Sequence, residues 1–210
     1  MNDPRVTEAV ELLKSRDLKK RMTALDLAHK LEGREALALL LKALHDQSWT
    51  LREHTIPRII AKGPQAIVPI LRHLTSGVWF TRAALAQVLQ SIGDHRAAVP
   101  LFLLLDDSNK SVAEEAQKAL KAIIHRTDTE ILWEQAQGLP GSQREHYLGY
   151  LKKELHNQPQ ELSRIQDKEP LTSGGTEDNP KTDIGASLQQ LRKAVKTALK
   201  QNSDVEYDEF

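Results

Sequence analysis

The side chains best equipped for chemistry are histidines with carboxylates beside them. The tripeptide Arg-Glu-His occurs at 52–54 and again at 144–146. Carboxylate oxygens and imidazole nitrogens suit iron or zinc, so Glu53, His54, Glu145 and His146 would serve as ligands of a metal pair if the fold brought them together. On a helix surface the same tripeptide is a solvated charged face, and that is the reading adopted, with no metal and no cofactor assigned. The eight histidines, at 29, 45, 54, 73, 95, 125, 146 and 156, sit in no Gly-x-Ser-x-Gly nucleophile elbow and in no His-Glu-x-x-His helix. The absence of cysteine removes thiolate nucleophiles, disulfides and cysteine-ligated zinc or iron–sulfur sites. No catalytic residue is assigned, and the chain reads as a non-enzyme.

What would position any binding residue is a repeat of about thirty-one residues. Arg21, Arg52, Arg82, Ala113 and Arg144 are spaced by 31, 30, 31 and 31. Gly33, Gly63 and Gly93 recur at 30, Pro69 and Pro100 at 31, and Trp49 and Trp79 at 30, each tryptophan three residues before the repeated arginine. A shared period of this size is the signature of a stacked array of supersecondary units. Each period carries two stretches of helical apolar spacing, as in 34–46 followed by 48–63, which makes five helical pairs between residues 6 and 155. In the second helices small or apolar residues recur at i, i+4, i+8 and i+11, as Val112, Ala116, Leu120 and Ile123 do, giving one stripe to bury. The repeated glycines fall just past that stripe, where a left-handed helix end is expected. Pro57 lies deeper in its helix, where a bend is expected. Among 210 residues, 29 Lys plus Arg balance 29 Asp plus Glu, which argues against a polyanion binder held by bulk charge. No apolar run approaches eighteen residues and the start lacks a signal peptide, so a soluble, cytoplasmic protein without a membrane span is expected.

Asp46 followed six residues later by Arg52, and the stretch 81–107 (TRAALAQVLQSIGDHRAAVPLFLLLDD), resemble HEAT repeats of the short phycobilisome-lyase-like variety. In that family the second helix reads Val-Arg-x-x-Ala, then Ala-Leu, then Ile-Gly-Asp, and the first helix ends in Leu-Asp. The resemblance covers about residues 6–156 and implies an all-α, right-handed, armadillo-type α-solenoid of about five helical hairpins. Thr75 and Ser76 replace the aspartate before Arg82, and Ala113 replaces the fourth arginine, so a ladder of Asp–Arg contacts would be interrupted. HEAT-fold iron hydroxylases use paired His-Glu motifs; here the order is Glu before His, and two pairs stand where that family presents four.

The expected organisation is a solenoid at 1–156, a disordered linker at 157–183, an amphipathic helix at 184–201 and an acidic tail at 202–210. The linker is rich in Gln, Pro, Ser, Gly and charge, with too few large apolar residues to offset its ordering entropy. In the amphipathic segment Ile184, Leu188, Leu191, Val195, Ala198 and Leu199 form the apolar face, and Arg192, Lys193, Lys196 and Lys200 the basic one. By resemblance the second helices line a concave surface, so the expected ligand face comprises Trp49, Arg52, Glu53, Pro57, Trp79, Arg82, Ala83, Gln87, Glu114, Glu115, Lys118 and Glu145. The two tryptophans serve either as peptide anchors or as packing over the preceding turn. A mixed-to-acidic face suits a basic amphipathic helix, which the chain itself carries, so docking of 184–201 in its own or a neighbouring molecule is expected. The function expected is a scaffold for a protein or peptide partner, with self-association through that helix. Two rivals stand: a bilin lyase-like, chromophore-handling subunit, for which Arg52 and Arg82 would hold propionates, and a HEAT-like DNA glycosylase, which the balanced charge disfavours.

Overall fold

The computed structural model describes residues 3–75 and 77–166. Among the described residues all regular structure is helical, and the chain divides between Ile92 and Gly93 into two compact units. That division falls between two hairpins, after α6.

Unit 1 holds three hairpins: α1 (Pro4–Leu13) with α2 (Leu18–Lys30), α3 (Gly33–Ala43) with α4 (Trp49–Ile60), and α5 (Ile67–His73) with α6 (Trp79–Ile92). Short side chains start the helices: Asp3, Asp17 and Ser48 accept backbone N–H bonds from Arg5, Lys19 and Leu51. The second helices pack on one another, α2 on α4 and α4 on α6, so α4 is apolar where both neighbours touch it. Leu51, Thr55 and Ile59 are fully buried there, and the Thr55 hydroxyl donates to the Leu51 carbonyl at 2.7 Å, which satisfies that buried donor. Across hairpins, the Thr81 hydroxyl donates to the Leu44 carbonyl at 3.0 Å, and Lys62 donates to the Leu31 carbonyl at 2.7 Å at the end of α2. The helix α4 runs through Pro57 to Ile60 although that residue has no N–H to give the Glu53 carbonyl. Gly33, Gly63 and Gly93 adopt φ of 77°, 64° and 73°, the left-handed conformation their spacing implies. Gly77, which the period does not mark, has φ 82° in the turn before α6.

Unit 2 contains α7 (Ala98–Leu103) with α8 (Lys110–Ile124), α9 (Thr129–Gln137) with α10 (Gly141–Glu154), and then α11 (Pro159–Gln166). The stripe Val112, Ala116, Leu120 and Ile123 is fully buried. The aromatic rings of Phe102 and Tyr147 meet edge to face at 5.0 Å, and Tyr150 joins from the same helix at 6.1 Å from Phe102. Burial drives the Tyr147 phenol well above its ordinary range, and burial followed by the Glu154 charge pushes that of Tyr150 up to about 12.

The linker expected from residue 157 is corrected at its start, because Pro159–Gln166 is a helix packed on α9 with Ile165 fully buried. The Thr129 hydroxyl donates to the Glu161 carboxylate, and the Gln158 amide reaches His125 Nδ1 at 3.2 Å. The physical reason is the repeat itself: Leu162 follows Leu132 by 30 residues, so α11 takes the place of one more first helix. The rest of that linker, the amphipathic segment 184–201 and the acidic segment 202–210 lie outside the described residues.

Two outcomes follow. A Cβ added at Gly63 would meet no atom within 4 Å, so Gly63→Ala isolates the left-handed backbone cost and is expected to lower unfolding free energy by about 1–2 kcal/mol in urea titration. Burial, then the charges of His45 and Arg72, hold the His73 imidazole below its ordinary value of 6.5. The unfolded chain then binds more protons, so stability is full above 6.5 and is lost as pH falls through the folded value. His73→Gln is expected to flatten this slope in urea midpoints taken between about pH 7 and pH 5.

Candidate functional site

In unit 1 the N-termini of the second helices share one construction. Arg21 Nη1 donates to the carbonyls of Ser15 and Arg16 at 2.9 and 3.0 Å, Arg52 Nη1 to those of Asp46 and Gln47 at 2.7 and 3.0 Å, and Arg82 Nη1 to that of Gly77 at 2.8 Å. The repeated arginine is thus a clamp on the turn that precedes its own helix. It also reaches the next hairpin: Arg21 pairs with Asp46 at 2.9 Å, with both side chains mostly buried. This is one rung of the Asp–Arg ladder that the resemblance implies. At the next rung there is no aspartate, and the Arg52 guanidinium lies over the Phe80 ring at 4.0 Å. A cation–π contact stands where an ion pair would have been.

These contacts set the first turns of α2, α4 and α6 side by side along one edge of unit 1. Trp49 and Trp79 occupy the first position of α4 and α6 on that edge. They are 67% and 48% exposed, and Val78 beside Trp79 is 45% exposed, so neither tryptophan is absorbed by packing. The Trp79 ring meets Phe80 edge to face at 5.8 Å, which ties the second tryptophan to the Arg52 clamp. Phe80 and Val78 are members of this edge that sequence reasoning missed; the signal was the unbroken apolar triplet Val78-Trp79-Phe80 at a helix start.

The other expected members of the ligand face divide between the units. In unit 1, Glu53 and Pro57 are exposed on α4 and Gln87 is half-buried on α6, while Ala83 is corrected to a core residue at 8% exposure. In unit 2, Glu114 and Lys118 are exposed on α8, Glu115 is half-buried there, and Glu145 is exposed on α10. The acidic character expected of this stretch is largely neutralised from within: Glu115 pairs with Lys118 at 2.7 Å and Glu114 with Lys110 at 3.6 Å. Glu53 and His54 belong to unit 1, Glu145 and His146 to unit 2, and all four are exposed. Among the described residues no group of three or more His, Cys, Asp or Glu is placed to hold a metal ion. A polar cavity of about 290 Å³ in unit 2 is lined by His125, Arg126, Asp128, Thr129, Gln158 and Glu161, several of which already bond to one another.

Asp94 shows how such surface chemistry is spent on structure. Burial raises its carboxyl, but the Arg96 side-chain and backbone hydrogen bonds outweigh this and hold it below the ordinary carboxylate value. Its role is to cap the turn before α7, with Arg96 bound at 2.6 Å.

Residues 37–121 match the family model described as HEAT repeats, and no curated protein matches the chain. The stretch from α3 into α8 is therefore similar to HEAT repeats. Among the described residues no helix is long and apolar enough to cross a membrane.

If the tryptophan edge is surface and not core, replacing both Trp49 and Trp79 by Ala should change stability by no more than about 0.5 kcal/mol each. Leu51→Ala, in the first turn of α4 and fully buried, should cost about 2–5 kcal/mol in the same urea titrations.

Proposed function

We propose that this HEAT-repeat chain is a non-enzymatic, cytoplasmic scaffold that binds a protein or peptide partner along its second helices, with Trp49 and Trp79 as anchors. HEAT repeats generally act as protein-interaction scaffolds, and the observation that carries the reading here is the exposed tryptophan pair at matched positions of adjacent hairpins. Large aromatics held on a rigid frame are the side chains that most often dominate interface energies, because little entropy is lost when a partner covers them. In unit 1 the same face includes Arg52, Glu53 and Pro57 on α4 and Arg82 and Gln87 on α6. In unit 2, Glu114, Glu115 and Lys118 lie on the second helix α8 and Glu145 on α10. The ion pairs on α8 make that stretch a source of selectivity more than of attraction.

The same proposal includes the short lyase-like repeat variety, which the period of 30 or 31 and the Ile92-Gly93-Asp94 sequence support. It also includes docking of the amphipathic segment 184–201 through Ile184, Leu188, Leu191, Val195 and Leu199, in its own or a neighbouring molecule. A chromophore-handling role gains nothing from the arginine pair, since Arg52 and Arg82 are both engaged with turn carbonyls.

Affinity capture followed by mass spectrometry tests the reading. The full chain is expected to retain specific proteins that the Trp49→Ala, Trp79→Ala double variant loses by tenfold or more, consistent with two anchors of about 1–2 kcal/mol each. Identical retention by both chains would remove the tryptophans from the binding surface.

A further inference from the structure

The neutral balance of the whole chain conceals an uneven distribution. Residues 3–92 hold fourteen Lys and Arg against nine Asp and Glu, and within 47–92, which supplies both exposed tryptophans, five bases accompany the single acid Glu53. At the start of α2, Arg16, Lys19 and Lys20 are exposed, and the Arg21–Asp46 pair joins that helix to the turn before α4. Two carboxylates at these helix starts are already engaged: Asp17 accepts the Lys19 N–H at 2.8 Å, and Asp46 accepts the Ser48 N–H at 2.7 Å as well as holding Arg21. The edge is therefore apolar at its crest, where Trp49, Val78 and Trp79 are exposed, and positive on its α2 side. Such a surface fits an acidic partner with large apolar side chains, because charge steers the encounter and the indoles supply the contact area.

We propose that the edge formed by Trp49, Val78 and Trp79 takes an acidic amphipathic helix of a partner protein, with large apolar side chains at i, i+3 or i+4 and i+7 on the crest and carboxylates toward Arg16, Lys19 and Lys20. The inference rests on the reading of that edge as a binding surface and adds the chemistry of its occupant. Spacing selects the helical form. Trp49 and Trp79 are the first residues of α4 and α6, two helices packed on each other, and packed helix axes lie about 8–10 Å apart. A helix returns to the same face after seven residues, a rise of roughly 10.5 Å, so its residues i and i+7 reach both indoles. In an extended chain, same-face residues lie about 6.8 Å apart at i+2 and about 13.6 Å apart at i+4, the one too close and the other too far. Charge alone would also admit a nucleic-acid strand. Phosphates, however, are held best by bidentate guanidinium contacts, and the two guanidiniums behind the crest, of Arg52 and Arg82, donate to turn carbonyls. Carboxylates steered by exposed lysines need no such fork, so the observations favour the acidic helix.

A library of random sixteen-residue peptides displayed on phage, selected on the immobilised full chain, tests the proposal. The best binders are then synthesised and titrated by fluorescence anisotropy. The selected set is expected to carry an average net charge of about −3 or more negative, with large apolar residues enriched at i and i+7 over the unselected library. Their affinity should fall about tenfold or more in the Trp49→Ala, Trp79→Ala double variant and about fivefold in Lys19→Glu, Lys20→Glu, with circular dichroism showing equal helicity in all three chains. It should also weaken as salt rises from 50 to 500 mM. A neutral or basic selected set, acidic peptides without the i, i+7 spacing, or no enrichment at all would overturn the proposal. So would a single-stranded oligothymidine of fifteen nucleotides that binds more tightly than the best peptide and loses that affinity with the tryptophans. The two readings fail differently. Peptides retained by the double alanine variant would remove the edge as a binding surface, whereas peptides that need both tryptophans but are not acidic would leave the edge in place and change only its occupant.

Discussion

A hairpin of thirty residues has two faces to hide and only its own partner helix to hide one of them. The second apolar face must be covered by the next hairpin, and everything else in this structure depends on that requirement. It is most visible on α4, whose Leu51, Thr55 and Ile59 lie sealed between α2 and α6. Burial of such a stripe removes the largest apolar side chains from water at roughly 25 cal/mol per Å². The stripe is supplied by neighbours, so stability here is a property of the stack and of no single hairpin.

Apolar burial alone does not fix register, because a stripe can slide along a groove. The polar contacts between hairpins perform that task in unit 1. Arg21 reaches Asp46, Arg52 covers Phe80, Thr81 bonds the Leu44 carbonyl and Lys62 closes the end of α2. All four involve a side chain whose position is set by one hairpin and whose partner belongs to an adjacent one. The first two meet at the helix starts, and it is there that Trp49 and Trp79 are left outside. Their exposure is thus a consequence of the same arrangement: the clamps occupy the inner side of each turn, and the first residue of the helix has nowhere to go but outward.

Much of this could be read from spacing. The arginine and glycine periods locate every hairpin, and the left-handed glycines sit where a helix must end with no Cβ in the way. Three features escaped for separable physical reasons. The helix α11 is eight residues long and has only Leu162 and Ile165 to bury, so composition outvotes periodicity unless Leu132 and Leu162 are aligned. Phe80 as the seat of Arg52 was hidden because a cation–π contact replaces an expected carboxylate, and the residue type gives no hint of the exchange. Ala83 was placed on the ligand face because small residues tolerate either side of a helix, whereas in α6 it is core. Site reasoning was weaker than fold reasoning throughout, since burial follows from pattern, but exposure of an aromatic depends on what its neighbours leave uncovered.

The central claim is that interior helices owe their stability to hairpins on both sides. Native-state hydrogen exchange of the full chain, read residue by residue, tests it most directly. The account predicts that within unit 1 the amides of α4 around Leu51–Ile59 exchange last and approach the global unfolding free energy, while α1, with one neighbouring hairpin, exchanges earlier through local opening. Equal protection of α1 and α4, or exchange of α4 ahead of α1, would contradict it.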